Sequence, residues 1–415
     1  MTSTVRVDRR LGVSAAAGFG AAGVSCGIKP SAAPDLALVV GDPGTVAAGV
    51  FTTNLVVAAP VVWSRDRLAA SADARVVVLN SGNANACTGP AGEAAVRATV
   101  ERAAAELGCR PEQVLVCSTG VIGVPLEVAR VADGVAKAAA ALDRSGGQAA
   151  AEAILTTDTV VKQAGARVVG GATVGGMAKG AAMLAPALAA PAHATMLAVL
   201  TTDAAVAPGA LREALAEAAA ATFNRITVDG AQSTNDTVLL LASGASGARP
   251  DPGDLAAAVR AVCSDLAGQM LADAEGGTKV VSVQVGGAAG ATEALAVARR
   301  VADSPLVKAA VYGGDPNWGR VLQAAGTAGV SFDPGLIRLE VAGGAGLAGI
   351  EPPAGPPERV LLVDRGRPTG ADASAAMAAS EIQLRLHLGG TGPWAEVRAS
   401  DLTPEYVRLN SEYTT

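Results

Sequence analysis

Seven short apolar runs, at 36–40, 76–79, 114–116, 196–200, 238–241, 280–285 and 360–363, are each bounded by Gly, Pro, Asn or Asp. That pattern marks buried strands. Between several of them lie Ala-rich stretches, at 91–107, 125–141, 210–221, 254–274 and 292–304, whose charged residues recur on one face. These read as helices, the second opening on Pro125 as a first helical turn favours. The class is therefore α/β, with mixed sheets in layers. A length of 415 residues suggests two or three domains. Aromatics make up only 2% of the chain and glycines number 50, so the core must be Ala, Val and Leu packed at close spacing. No short-period repeat is present, which sets solenoids and propellers aside.

The net charge of −6 is modest, and no Lys/Arg cluster is interleaved with aromatics, so a nucleic-acid partner is not expected. Five cysteines form no CxxC pair and make an odd count, which suggests reduced thiols in the cytoplasm. Two histidines are too few for a His-based metal site. Arg9-Arg10 before a weakly apolar stretch ending at Cys26 resembles an export signal, but that stretch has a single Leu and carries Gly23 where a branched apolar residue is wanted. It reads better as a first strand and turn. No run reaches bilayer length without Gly, Pro or charge, so no membrane partner is expected.

Several local patterns carry chemistry alongside a plainer reading. Thr195 stands where a small-residue loop meets an apolar strand in PAHATMLAVL. If the Ala194–Thr195 bond breaks, the threonine gains a free α-amine of pKa ~8 beside its own hydroxyl, joining nucleophile and base in one residue. Ser118-Thr119-Gly120 follows an apolar strand; it is either an ordinary turn or a set of donors aimed at an oxyanion. His193 is a rival base two residues before Thr195, but residues two apart on an extended chain are not assured of contact, and its plainer role is favoured. Lys179 and Glu275 are either counter-charges for an amino-acid substrate or solvated loop ends, the latter being the favoured reading of each. The segment from Arg167 to Ala172 fits a loose pyrophosphate pattern but reads as strand and turn rather than a strand-to-helix entry, and is discounted.

In order along the chain come GFGAAGVSCGIK, DLALVV, AAGVFTTNLVVAAPV, VLNSGNANACTGPAG, CSTGVIG, ILTTDT, GGMAKGAAMLAP and ATMLAVLTTDA. FNRITVDG, STNDTVLLLASG, DAEGGTKVV, SPLVKAAVYGGDPNWGRVL and DLTPEYVRLNSEYTT follow. Together they resemble the ornithine acetyltransferase family, the glutamate N-acetyltransferases of the cyclic arginine pathway, nearly end to end. The resemblance implies that family's two-domain layered fold, of the N-terminal-nucleophile-like type. It implies self-cleavage between Ala194 and Thr195 in ATML, giving an α chain of residues 1–194 and a β chain of 195–415.

It further implies that Thr119 and Gly120 form the oxyanion hole, and that Thr156, Lys179, Thr195, Glu275, Asn410 and Thr415 hold substrate. The implied reaction is ping-pong transfer of acetyl from N2-acetyl-L-ornithine to L-glutamate through acetyl-Thr195. It calls for no metal and no organic cofactor. Acetyl-CoA as an additional donor is left open, as is service in arginine supply or a secondary pathway, and the implied assembly is a heterotetramer of two α and two β chains. Three departures stand out. Seven residues separate Pro186 from Ala194, and Pro191, five further on, restores the usual spacing to the Ala-Thr pair; Ala182 replaces a usual glycine; and Ala231-Gln232 replaces a small polar or acidic position. Two alternatives remain at this point: an aminopeptidase or amidase using the same nucleophile with water as acceptor, and a regulatory paralogue that does not process.

Overall fold

The computed structural model describes residues 5–188, 196–346 and 357–412. His193, Ala194, Thr195 and Thr415 lie outside them. In chain order the first strands and helices are β1 (Val7–Asp8), β2 (Phe19–Val24), β3 (Leu36–Gly41), β4 (Val46–Phe51), α1 (Ala59–Ala70), β5 (Val76–Asn83), α2 (Gly89–Leu107), β6 (Val114–Val121), α3 (Val128–Ala140) and α4 (Gly147–Ala153). There follow β7 (Lys162–Arg167), β8 (Thr173–Lys179), β9 (Leu197–Thr202), α5 (Pro208–Ala221), β10 (Ile226–Thr227), β11 (Thr237–Ala242), α6 (Pro252–Ala272), β12 (Val280–Gly286), α7 (Ala291–Ala302), α8 (Pro305–Gly313) and α9 (Trp318–Ala325). The last are β13 (Arg338–Gly343), β14 (Val360–Asp364), β15 (Arg367–Pro368), α10 (Ser374–Met377), β16 (Glu381–His387), β17 (Ala395–Ser400) and α11 (Pro404–Glu412).

The chain divides into two compact units. The first comprises the described residues of Met1–Asn224 and Ala231–Met270, the second those of Arg225–Gly230 and Leu271–Tyr413. The bond between 194 and 195 therefore falls inside the first unit's sequence rather than at a boundary.

The first unit has a six-stranded sheet of order β1-β7-β8-β9-β11-β4 and a four-stranded sheet of order β2-β3-β5-β6. Pairing is antiparallel except for β9 with β11 and β5 with β6, giving the mixed sheets expected from sequence. Alternate residues of each strand explain the layering. Val77, Leu79, Leu115 and Cys117 of the smaller sheet share one core with Met177, Leu197, Val199 and Leu239 of the larger. Their neighbours Val76, Val78, Val114 and Val116 face a second core with Val96 and Val100 of α2 and Val131 and Val135 of α3. On the far side of the larger sheet, Gly176 lies against Leu266 and Val262 of α6. The result is helix, sheet, sheet, helix in layers.

Helix α2 shows the local logic: Ala95, Val96, Thr99, Val100, Ala103 and Ala104 form its buried stripe, and Gly108 stops it at a left-handed φ of 58°. Helix α3 begins at Val128, so Pro125 lies in the connection after β6 and does not open the helix. Helix α6 is long and apolar enough to cross a bilayer by composition, but over half of its apolar window is buried inside the protein, as a core helix would be. The Arg9–Cys26 region contains a strand, β2, as expected, although the two-residue β1 precedes it, and Arg167 to Ala172 is the β7–β8 hairpin turn.

The second unit is built on a seven-stranded sheet, β10-β17-β12-β16-β13-β14-β15. Val281, Val283, Val285, Leu384 and Leu386 of the central strands pack with Val297 and Val301 of α7 and Val307 and Val311 of α8.

Candidate active site

Strand parity decides where the Ser-Thr-Gly turn sends its groups. Leu115 and Cys117 point into the core between the two sheets, so Thr119 points the same way and Ser118 the other. The Ser118 hydroxyl is spent structurally, donating to Asn80 Oδ1 at 2.6 Å, while the Ser118 carbonyl accepts from Asn235 Nδ2 at 2.9 Å. Thr119, also buried, meets β8: Lys179 Nζ donates to its Oγ1 at 3.3 Å. Gly120 has φ +127°, and its backbone approaches Gly82 of β5, its ladder partner. A Cβ there would lie 2.4 Å from the Gly82 carbonyl carbon, so the close pairing admits only glycine.

Lys179 is 4% exposed, which corrects the solvated reading of it. It pairs with Leu197, which stands two residues after Thr195 in the sequence. Met196 is fully buried, and its carbonyl accepts from Thr237 N at 2.8 Å, fixing the start of β9 against β11.

The loop between α4 and β7 completes this cluster. Thr156 is half-buried there, and its N–H donates to Asp158 Oδ2 at 3.1 Å. Asp158 Oδ1 accepts from Lys162 Nζ at 2.7 Å and from Gly180 N at 2.7 Å. Both side chains of the Asp158–Lys162 pair are fully shielded from solvent. Burial alone would raise the Asp158 carboxyl, but the Lys179 and Lys162 ammoniums and the Gly180 N–H outweigh it and hold the group at about 2. Beside this cluster, Asp35 accepts backbone N–H bonds from Cys26, Ile28 and Lys29 at 2.7, 2.6 and 3.0 Å, folding residues 26–29 over Gly82. Burial lowers the pKa of the Lys29 ammonium, and the like charge of Lys179 adds to that.

In the second unit Glu275 and Asn410 meet: Asn410 Nδ2 donates to Glu275 Oε2 at 2.9 Å and to the Tyr406 carbonyl at 3.0 Å. Thus Thr119, Gly120, Thr156 and Lys179 gather in the first unit, and Glu275 pairs with Asn410 in the second. Asp158, Lys162 and Lys29 were not singled out from sequence. The signal was present in Asp158-x-x-x-Lys162, opposite charges four apart in a segment otherwise without charge. Glu275 lies in a turn, partly exposed and bonded by the exposed Asn410, as a partly solvated loop end.

Chemically, the first unit offers a buried hydroxyl polarised by an ammonium beside a glycine backbone of unusual conformation. A hydroxyl that accepts from a cation becomes a stronger donor, suited to charge that develops on an oxygen. The ArgJ family model matches residues 20–415. The chain belongs to the ArgJ family. It is 48% identical over 429 residues to the arginine biosynthesis bifunctional protein ArgJ of Mycobacterium leprae, covering 100% of this chain and 98% of that one. The protein of the same name from Streptomyces coelicolor is 47% identical over 410 residues, covering 97% and 100%. Among solved structures, ornithine acetyltransferase complexed with ornithine from Mycobacterium tuberculosis is 51% identical, covering 45% of this chain and 100% of that one, with a TM-score of 0.44. The family membership anticipated from the ordered motifs is thereby established.

The ion pair makes a stability prediction. Asp158 sits at about 2 in the fold against an ordinary 3.8. A depressed carboxylate contributes stability above its unfolded value, so the contribution is present above about pH 4 and is lost as pH falls toward 2; it is worth about 2 kcal/mol. Denaturant titrations from pH 6 down to pH 2 should show that loss in the wild type. A stability flat across that range contradicts the assignment.

Proposed function

We infer that this chain is an acetyltransferase of arginine biosynthesis that moves the acetyl group from N2-acetyl-L-ornithine to L-glutamate, releasing ornithine and forming N-acetylglutamate. The observation that carries the reading is near-full-length identity to relatives named bifunctional arginine-biosynthesis proteins, joined to a buried Thr119–Lys179 contact next to Gly120. The nucleophile of this reading is Thr195, freed by cleavage after Ala194. Its α-amine takes the hydroxyl proton as the oxygen attacks the acetyl carbonyl. The carbonyl oxygen becomes an oxyanion, received by the Thr119 hydroxyl and the Gly120 N–H. Collapse of that intermediate breaks the acetyl–nitrogen bond, and the ammonium formed at Thr195 returns its proton to the departing ornithine amine. The glutamate amine then attacks acetyl-Thr195 by the same route, regenerating the hydroxyl.

Lys179 serves twice in this scheme. Its ammonium donates to Thr119 Oγ1, which frees that hydroxyl's own hydrogen for the oxyanion, and its charge suits a substrate carboxylate. Thr156, Glu275, Asn410 and Thr415 are assigned to substrate binding alongside it, Glu275 being an anion suited to ornithine's side-chain ammonium. Acetyl-CoA as an alternative donor, a heterotetramer of two α and two β chains and a cytoplasmic location belong to the same reading. Incubating the pure protein with glutamate and either acetyl-ornithine or acetyl-CoA, and measuring N-acetylglutamate, tests it. Release of free acetate at a rate indifferent to glutamate would point to an amidase instead, and inactivity on both donors would refute it.

Thr119→Val keeps the shape and removes the hydroxyl. Loss of one oxyanion donor is expected to lower kcat about 10²- to 10³-fold. Steady-state assays on a variant with an unchanged melting temperature check this, and a kcat within threefold of wild type would remove Thr119 from the site.

A further inference from the structure

Two turns that the proposed chemistry needs are tied by one carboxylate that the sequence motifs did not single out. Asp158 accepts the Thr156 N–H with one oxygen and the Gly180 N–H with the other. Thr156 is an assigned substrate contact, and Gly180 directly follows Lys179, whose Nζ reaches Thr119. Gly180 adopts φ +150°, and a Cβ there would lie 3.5 Å from Leu184 Cδ1 and 3.7 Å from Cβ of Met196, the residue after the proposed nucleophile. A single buried anion thus fixes the end of β8 to the loop after α4. We propose that Asp158 is the positioning residue of this acetyl-transfer site, setting both the Thr156 turn and the direction of Lys179. This rests on the reading of the chain as an acetyltransferase.

A plainer role competes with it. Asp158 also neutralises Lys162, which is fully buried on β7, and a buried lysine without a counter-charge is costly wherever it lies. The two roles make different demands. Neutralisation needs only that charge be absent on both partners or present on both. Positioning needs an acceptor oxygen toward each of the two N–H groups, and a negative charge beside Lys179.

The charges around Asp158 come from three elements: Lys162 from β7, Lys179 from β8 and Lys29 from the loop before β3. Asp35, beside Lys29, is a second anion of this group, so removing the Asp158 carboxylate takes away the acceptor of Lys162 and of the Gly180 N–H but not every negative charge.

The test uses the full-length protein and the pair Asp158→Asn and Asp158→Asn with Lys162→Met. Asp158→Asn alone takes the carboxylate away from the buried Lys162 and is expected to unfold at lower temperature. The double variant removes both charges and is expected to recover the wild-type melting temperature. Its kcat/KM for acetyl-ornithine should stay at least 30-fold below wild type, mostly through KM.

Residue-resolved amide exchange reads the same claim without turnover: the Thr156 and Gly180 amides of the double variant should exchange at least tenfold faster than in wild type, while those of β12 in the second unit stay unchanged. A double variant with wild-type kcat/KM and exchange would overturn the positioning role and leave only charge neutralisation. An inactive wild type would overturn the acetyltransferase reading instead, and the exchange rates would still decide whether Asp158 holds the two turns.

Discussion

Thr195→Ala is expected to run as one intact chain under denaturing conditions, where the wild type gives fragments 1–194 and 195–415, the second starting with threonine. It is also expected to lose at least about 10⁴-fold in kcat, because removing a nucleophile removes the covalent route itself, leaving only what binding and oxyanion donors provide. Intact-mass spectrometry and N-terminal sequencing read the first effect, and N-acetylglutamate formation reads the second. Thr195→Ser divides the two demands. It keeps a hydroxyl and an α-amine but loses the β-branch that restricts χ1, so it should process and turn over more slowly rather than stop. The segment between Pro186 and Ala194, which the resemblance reads as longer than the family pattern, is expected to bear on the cleavage step before it bears on turnover. A wild-type chain that stays whole while remaining fully active would dispose of the terminal-threonine mechanism.

Gly120→Ala should have the second largest effect, and on stability as well as rate. Its added Cβ would lie 2.4 Å from the Gly82 carbonyl carbon and 2.6 Å from Asn83 N, both backbone atoms of a paired strand. Neither can swing aside as a side-chain end could, and φ +127° is itself strained for an alanine. A loss of about 3 to 5 kcal/mol follows, near the top of the range for single substitutions. In a unit of this size that is a fall in melting temperature on the order of 10 °C. Gly82→Ala makes a useful comparison. It shares the strain of a positive φ, +97°, but its Cβ would meet the side chains of Ile28 and Lys29 at 3.1 Å, which can give way, so its cost should be visibly smaller. Equal melting temperatures for wild type and Gly120→Ala would show that the β5–β6 pairing is looser than described.

Strands rich in branched residues were legible because Val and Leu contrast with the residues that bound them, as at β3, β5 and β11. The strands VAAGVF, KQAGAR and TVGGMAK were not, although two of them border the site. When both faces of a strand carry Gly and Ala there is no alternation to read, and the small residues are there because neighbouring layers come close. Gly175, for example, would place a Cβ 2.2 Å from the Gly12 carbonyl oxygen. At the site, local pattern gave the Ser-Thr-Gly turn and nothing that told a buried Lys179 from an exposed one. A lysine between Ala178 and Gly180 looks the same in sequence whether its end meets water or Thr119. Glu275 and Asn410 stand 135 positions apart, so only resemblance joined them before the fold did.

The order of the six-stranded sheet has a consequence for the life of the mature protein. Strands β1, β7, β8 and β4 come from the stretch before residue 195, and β9 and β11, which lie between β8 and β4, come from the stretch after it. Once cut as proposed, the two pieces would remain laced together along β8–β9 and β4–β11, so neither could leave without tearing the sheet. The precursor then acts as its own assembly jig. Refolding of the uncut chain is a one-molecule event, whereas fully unfolded cut protein must find its other half at a rate that depends on concentration. Heat damage that the precursor reverses in dilute solution should therefore be reversed more slowly by the processed form, at a rate that rises with protein concentration.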